Sequence, residues 1–200
     1  MTSPTARIPL QHPQTAFTRA MTWWSRRTYG DVLEPGLAML HHRKVLLATI
    51  SHERKVAKFN ALDPTIKALA QLVAAATIGC SWCMDFGYWV SHHEGVPSEK
   101  LEAVPMWQTA DVYTDLERRA MAYAEAMSVT PLEVTDDMVE GLRESLSDAA
   151  FIELTAMIAL ENSRSRTNGA LGLTSQGFAD RCERQPVAAP VAVADRAAAG

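Results

Sequence analysis

The chain has 200 residues, the length of one ordinary domain, and its 48% hydrophobic and 21% charged residues fit a globular protein with a substantial core. A net charge of −4 argues against nucleic acid or an anionic membrane as the main partner, because both would require a basic face. The longest apolar stretch, residues 68–79, is shorter than the roughly 20 residues of a membrane span. The N-terminal sequence lacks the apolar region of a secretory signal, so we expect a cytoplasmic protein with reduced cysteines.

Helical patterns follow one another along the chain, and no segment shows the alternation of apolar and polar residues that indicates a strand. Seven helices are predicted from apolar periodicity and from start and stop signals: residues 17–29, 35–58 with an interruption at 41–43, 63–79, 81–92, 114–127, 135–146 and 147–168. Thr114 and Glu117 form a capping box at the start of the fifth helix. The predicted fold class is therefore all-α.

A single domain is expected between two terminal segments of different composition. Residues 1–13 are polar and contain prolines, which predicts a flexible N-terminal segment. Residues 185–200 are rich in alanine and proline, which predicts a disordered tail. We therefore place the helical domain at residues 14–180.

Cys80 and Cys83 stand three residues apart at the predicted start of the fourth helix, directly after Gly79. Residues three apart on a helix are neighbours, and their Cβ atoms need only a small adjustment to reach disulfide distance. Free N–H groups and the helix macrodipole favour an anion at this position, and thus a reactive thiolate near neutral pH. The pattern is typical of a redox-active dithiol, in which one cysteine attacks and the other resolves.

Two other interpretations of the pair stay open, a zinc site and a pair of reduced structural cysteines. Zinc needs four ligands, and the sequence has no second Cys-x-x-Cys motif and no suitably spaced histidine pair. His92 and His93 are adjacent, so one helix is not expected to direct both towards one metal. Cys182, near the predicted tail, is expected to be an incidental thiol, with a third redox partner as the alternative.

The setting of the cysteine pair resembles the carboxymuconolactone decarboxylase family, in particular its AhpD-like alkylhydroperoxidases. An apolar helix precedes Gly-Cys-x-x-Cys, and the following helix ends near HHEGVPSEKLEAV at residues 92–104. The stretches LAMLHHRKVLLATI, at 37–50, and ALENSRSRTNGALGLTSQGF, at 159–178, are also similar to segments of this family. The resemblance covers about residues 33–180.

The resemblance implies an all-α, AhpD-like homo-oligomer (a dimer, trimer or hexamer) that binds no organic cofactor and no metal. Family members with the cysteine pair reduce peroxides or exchange disulfides with a dithiol donor, such as a lipoyl group or a thioredoxin-like protein. The resemblance also implies that Cys83 is the peroxidatic thiol and Cys80 the resolving one. The helix-dipole argument would instead make Cys80 the more acidic thiol, and the order stays open.

The proton relay of AhpD-like enzymes is missing from its usual positions. Ala68 takes the place of the relay glutamate, Gly87 that of the histidine after the pair, and Trp82 that of the histidine between the cysteines. His92 and His93 are not expected to replace the relay, because they would lie about 14–15 Å along the helix from the second cysteine.

Three titratable residues are candidates for assisting the thiols: Asp85, Glu161 and Lys67. Asp85 would accept a proton, with an exposed or capping role as the alternative. Glu161 would supply the missing carboxylate from another helix, unless it only pairs with Arg164 along its own helix. Lys67 would stabilise a thiolate if its ammonium group reached the pair, and a surface lysine is the alternative.

The sequence therefore predicts a thiol–disulfide oxidoreductase with AhpD-like peroxidase activity that cycles Cys80 and Cys83. Two other functions stay open: a non-enzymatic redox-sensing or structural member of the family, and a muconolactone-type decarboxylase. The decarboxylase is the least favoured, because those members rely on a pocket histidine and none stands at the matching place. Without the usual relay, slow peroxide turnover is expected, because acid–base assistance typically contributes about 10²–10⁴-fold.

Overall fold

The computed structural model describes residues 5–182, and all regular structure in this range is helical. Its α-helices, in chain order, are α1 (Ala16–Tyr29), α2 (Glu34–Met39), α3 (Arg43–Val56), α4 (Pro64–Ile78), α5 (Ser81–His93), α6 (Ser98–Ala103), α7 (Asp115–Ser128), α8 (Asp136–Arg143) and α9 (Asp148–Ala170). Two 3₁₀ turns lie at Val104–Met106 and Ala179–Arg181. The prediction of an all-α fold is confirmed.

The helices differ from the predicted ones at two places. The interruption within 35–58 is a complete break that separates α2 from α3, and His42 caps α3 by accepting the Val45 N–H on its ring Nδ1 at 3.3 Å. The sequence predicts no helix at α6, which has only six residues and follows Pro97. Such a short segment contains too few positions for a periodic pattern to be recognised.

Helix α4 forms the centre of the fold and packs against α5, α7 and α9. Asp63 caps its start, and its sequence is apolar on nearly every side, which is typical of a helix enclosed by others. Leu69, Val73 and Ala74 have at most 1% of their surface exposed. Burying one leucine or valine side chain contributes about 1.5–3 kcal/mol. This packing holds α4 in place, and with it the start of the loop that follows.

Residues 5–10 lie beside the C-terminal end of α9, where the Arg7 N–H donates to the Leu171 carbonyl at 2.8 Å. They include part of the segment that its composition predicts to be flexible. The predicted tail, residues 185–200, lies outside the described residues. Among residues 5–182, no helix combines the length and the apolar character that crossing a membrane requires.

Candidate active site

The loop between α4 and α5 places the two cysteines at the start of α5. Gly79 ends α4 in the left-handed conformation, with φ of +81°, which glycine adopts without strain. The Cys80 N–H then donates back to the carbonyl of Ala75 at 2.9 Å. Cys80 is the N-cap of α5, and its sulfur accepts the N–H of Cys83 at 3.2 Å. The prediction that Cys80 lies at a helix N-terminus is confirmed.

Cys80 and Cys83 are joined by a disulfide, with their Cα atoms 5.3 Å apart. Both residues are buried, with 4% and 6% of their surface exposed. Side chains three residues apart lie next to each other on a helix. The disulfide therefore forms without interrupting α5, which continues from Ser81 past Cys83. The pair is therefore oxidised in this structure and sits in a site largely closed to water.

The side chain of Asn168 contacts Cys83. Its Nδ2 lies 3.4 Å from Cys83 Sγ, and only 3% of Asn168 is exposed. Asn168 belongs to the last turn of α9, which packs on both α4 and α5. In the reduced protein this amide would donate to a Cys83 thiolate and stabilise its charge.

A cleft of about 550 Å³ opens on the other side of the pair. Met84 and Tyr88 form part of its wall, and Glu102 adds a carboxylate. Cys80 lines this cleft, whereas Cys83 is not among the lining residues. Cys80 is therefore the cysteine that borders this cleft, although both cysteines are largely buried.

Aromatic side chains pack beside the pair, and Gln176 contacts one of them. Trp82 stacks on Phe86, with ring centroids 4.9 Å apart, and both rings pack in the apolar cluster that contains the two cysteines. The Gln176 Oε1 accepts the Trp82 Nε1–H at 2.8 Å and the Glu34 N–H at 3.0 Å. Gln176 thereby connects α5 to α2 and holds the indole of Trp82 in place.

Asp85 is buried beside the cleft, with 8% of its surface exposed. Its Oδ2 accepts the Gln176 N–H at 2.8 Å, and its Oδ1 accepts the Ala179 N–H at 2.7 Å. These bonds hold the segment after α9 against α5. The structure thus gives Asp85 a capping arrangement, in a buried rather than an exposed side chain.

Glu161 is buried in α9 and pairs with Arg164, whose Nη1 lies 3.1 Å from Glu161 Oε2. The Ser165 hydroxyl donates to the other carboxylate oxygen at 2.9 Å. Burial raises the pKa of Glu161, although the charge of Arg164 acts in the opposite direction. Glu161 stands seven residues before Asn168, about 10 Å along the helix from the residue that contacts the pair.

Lys67 lies near the opposite end of α4 from the cysteines. Its ammonium group pairs with Glu153 and donates to the Phe59 carbonyl at 2.7 Å. Burial opposes ionisation of Glu153, but hydrogen bonds from Lys67 and from the backbone lower its pKa overall. Lys67 is about 17 Å along α4 from the end of that helix, so the structure places it apart from the pair.

A histidine at Gly87, the position of the relay histidine, would crowd the core side chain of Leu72. A Cβ atom at this position would lie 2.9 Å from Cδ2 of Leu72, a side chain that is 3% exposed. Ala68, at the position of the relay glutamate, is also buried in the core. Both relay positions are therefore filled by close packing between helices.

Three further side chains meet at the C-terminal end of α5. Ring nitrogens of His92 and His93 and the sulfur of Cys182 lie within 4.8 Å of one another. One helix was not expected to direct both adjacent histidines towards one metal, but α5 ends at His93 and the two rings meet edge to face, with centroids 5.8 Å apart. Cys182 takes no part in a disulfide, and burial followed by the charge of Asp85 raises the pKa of its thiol.

The sequence did not single out Asn168 or Gln176 as site residues. Their contacts with the helix of the cysteine pair join positions 85 and 94 residues apart. Apolar periodicity and motif spacing carry no information on such contacts. The signal that was available is the family-like stretch at 159–178, which contains both residues.

Comparisons with known proteins identify the family of the chain. The model of the carboxymuconolactone decarboxylase family matches residues 44–126, which include both cysteines of the pair. An uncharacterized protein of Escherichia coli, YnjA, is 34% identical over 179 residues, which cover 88% of this chain and 93% of YnjA.

Two solved structures share the fold. The debrominase Bmp8 superposes with a TM-score of 0.74 at 21% identity, over 89% of this chain and 95% of Bmp8. A peroxidase-related protein of Ralstonia eutropha, described as an alkylhydroperoxidase AhpD core, has a TM-score of 0.74 at 18% identity, over 88% of this chain and 95% of its own. The chain belongs to the carboxymuconolactone decarboxylase family and has the fold of its AhpD-like members.

Proposed function

We propose that the protein is a thiol–disulfide oxidoreductase with alkylhydroperoxidase activity, and that it acts through Cys80 and Cys83. The observation that carries the proposal is the disulfide at the start of α5, with Cys80 at a cleft and Cys83 beside Asn168. Family membership supports the same class of reaction.

In the oxidative half-reaction, the Cys80 thiolate attacks the terminal oxygen of a hydroperoxide in the cleft. A sulfur–oxygen bond forms, the oxygen–oxygen bond breaks, and the alkoxide takes a proton and leaves as an alcohol. The Cys83 thiolate then attacks the sulfur of the Cys80 sulfenic acid and expels hydroxide, which leaves as water. The pair gives up two electrons, which reduce the peroxide.

In the reductive half-reaction, a dithiol donor enters the same cleft and its thiolate attacks Cys80. Cys83 leaves as a thiolate, which the Asn168 amide stabilises, and a stabilised leaving thiolate departs faster. The second thiol of the donor then attacks the donor sulfur of the mixed disulfide and releases Cys80. A lipoyl group and a thioredoxin-like protein are the two donor classes that the family suggests.

This order of the two thiols is opposite to the one that the family resemblance implies. Two observations support it: Cys80 is the cysteine at the cleft, and it is the N-cap of α5, where the helix macrodipole stabilises a thiolate. Trapping of sulfenic acid with dimedone tests it. We expect adduct on Cys80 in the Cys83→Ser variant, and trapping on Cys83 in the Cys80→Ser variant alone would contradict the order.

The three candidate assisting residues offer the thiols little acid–base assistance. Asp85 borders the cleft, but both of its oxygens accept backbone hydrogen bonds. Glu161 and Lys67 are engaged in ion pairs with Arg164 and Glu153. We therefore propose that disulfide exchange is the faster activity and that peroxide reduction is slow.

The first experiment is to reduce the protein, add one equivalent of an alkyl hydroperoxide and follow the loss of free thiols. A Cys182→Ser background ensures that only the pair is counted. Loss of two thiols much faster than for a free cysteine supports the peroxidase activity. Loss at the free-thiol rate, with saturable turnover by a dithiol donor, would restrict the function to disulfide exchange. Failure of both would favour the second candidate, a redox-sensing or structural role.

A further inference from the structure

The cluster of His92, His93 and Cys182 lies outside the proposed active site. His92 stands nine residues after Cys83, about 14 Å along α5. Cys182 comes from a different part of the chain, directly after the 3₁₀ turn that packs against α5. Two imidazoles from one helix and a thiol from a distant segment therefore converge at one point, within 4.8 Å of one another.

A hydrogen bond to the backbone fixes the tautomer of the His93 imidazole. Its Nδ1 lies 2.7 Å from the Trp89 carbonyl oxygen. Because a carbonyl only accepts hydrogen bonds, Nδ1 carries the proton and Nε2 keeps a free lone pair. Histidines that bind metals commonly donate their second ring nitrogen to a carbonyl in this way. Stacking of His92 on Tyr88, with centroids 6.2 Å apart, holds the second ring.

The surroundings favour a positive charge at this point. The cluster lies at the C-terminal end of α5, the end at which the aligned peptide dipoles give a helix a partial negative charge. Cys182 is 9% exposed and His93 is exposed, so the cluster has one protected side and one side open to solvent.

We propose that His92, His93 and Cys182 bind one divalent transition-metal ion, and that zinc fits this ligand set best. Imidazole and thiolate are ligands that zinc prefers, with bonds of about 2.0–2.1 Å to nitrogen and about 2.3 Å to sulfur. A tetrahedral site with these bonds has ligand atoms about 3.5 Å apart, so small side-chain rotations bring the three atoms into place. Binding releases the proton of the Cys182 thiol and leaves a fourth position for water.

The test uses the oxidised full-length protein, in which the Cys80–Cys83 disulfide keeps that pair from binding metal. After treatment with a chelator, the protein is titrated with zinc chloride by calorimetry and, separately, with cobalt(II) by absorption spectroscopy. We expect one equivalent of zinc, and a cobalt spectrum with the charge-transfer band of a thiolate ligand and the intense d–d bands of a tetrahedral site.

Variants locate the site. Loss of a residue that only hydrogen-bonds to a metal ligand typically weakens metal binding 10–100-fold. Loss of a ligand itself should cost more, so Cys182→Ser and His92→Gln are each expected to bind zinc at least about 100-fold more weakly than the wild-type protein. The matched control is His52→Gln, because His52 is an exposed histidine on another helix and its loss should change nothing. Circular dichroism verifies that each variant is folded.

Three results would overturn the proposal. They are absence of stoichiometric zinc binding by the wild-type protein, undiminished binding by folded Cys182→Ser, and a cobalt spectrum without a thiolate band. If Cys182→Ser does not fold, the wild-type cobalt spectrum decides alone, because it reports directly whether sulfur is bound.

Discussion

Replacing Asn168 by leucine removes a side-chain amide that contacts Cys83 while keeping a side chain of similar shape. In the wild-type protein the Asn168 Nδ2 lies 3.4 Å from Cys83 Sγ in a buried site. Hydrogen bonds to charged groups contribute about 1.5–3 kcal/mol, and the long contact to sulfur favours the lower end. A loss of about 1.5 kcal/mol of thiolate stabilisation corresponds to about tenfold less Cys83 thiolate at a given pH.

The assay follows the rate of alkylation by iodoacetamide as a function of pH, because only the thiolate reacts. A Cys80→Ser, Cys182→Ser background leaves Cys83 as the one cysteine, since the chain contains three. Removing the donor disfavours the charged form, so the midpoint of the pH–rate curve should move up by about one pH unit in Asn168→Leu.

The matched control is Asn162→Leu, which removes an amide on the same helix that donates instead to Ser128 Oγ at 2.9 Å. Its midpoint should equal that of the background protein. An unchanged midpoint in folded Asn168→Leu would refute the idea that the Asn168 amide stabilises the Cys83 thiolate. An equal shift in both variants would mean that general loosening of α9 causes the effect.

Three further predictions concern Glu161 on α9, Gly87 on α5 and the oligomeric state of the protein. Burial raises the pKa of Glu161 in the folded protein. The stability that this carboxyl group contributes is therefore fully present below its ordinary pKa of 4.5 and is lost as the pH rises through the raised pKa. Glu161→Gln should flatten the pH dependence of thermal unfolding in this range, and a curve identical to that of the wild-type protein would contradict the assignment. Gly87→Ala should lower the free energy of unfolding by about 1 kcal/mol, because crowding against Leu72 outweighs the gain in helix propensity. In a Leu72→Ala background the same change should stabilise by about 1 kcal/mol, and additive effects in the double-mutant cycle would argue against the contact. Light scattering should find a homo-oligomer, as the family suggests, and a monomer at assay concentrations would refute that expectation.

The larger helices could be predicted because their starts are encoded locally. Asp63, Thr114, Thr135 and Ser147 each cap a helix through side-chain bonds to backbone N–H groups two or three residues on, and such signals are visible in the sequence. The break before α3 depends on less regular geometry at residues 40–42, and α6 is too short for a periodic pattern.

The cysteine pair was visible in the sequence because its spacing matches the helical repeat, and Gly79 marks the turn before it. The contacts around the pair were not visible, because tertiary packing brings Asn168 to Cys83 and Gln176 to Trp82 from distant positions. The same reason applies to the two histidines. Their convergence depends on where α5 ends and on Cys182, which arrives from the far end of the described chain.

Under the proposed function, the cleft beside Cys80 has a kinetic consequence. Its volume of about 550 Å³ is that of a site for one small molecule, so we expect the oxidant and the electron donor to enter it one at a time. Each must leave before the other enters, which predicts ping-pong kinetics with parallel lines in double-reciprocal plots. At high concentration each reactant should also inhibit turnover, because it can bind in the cleft of the enzyme form that reacts with the other reactant. The shape of one cleft would then govern the choice of both reactants.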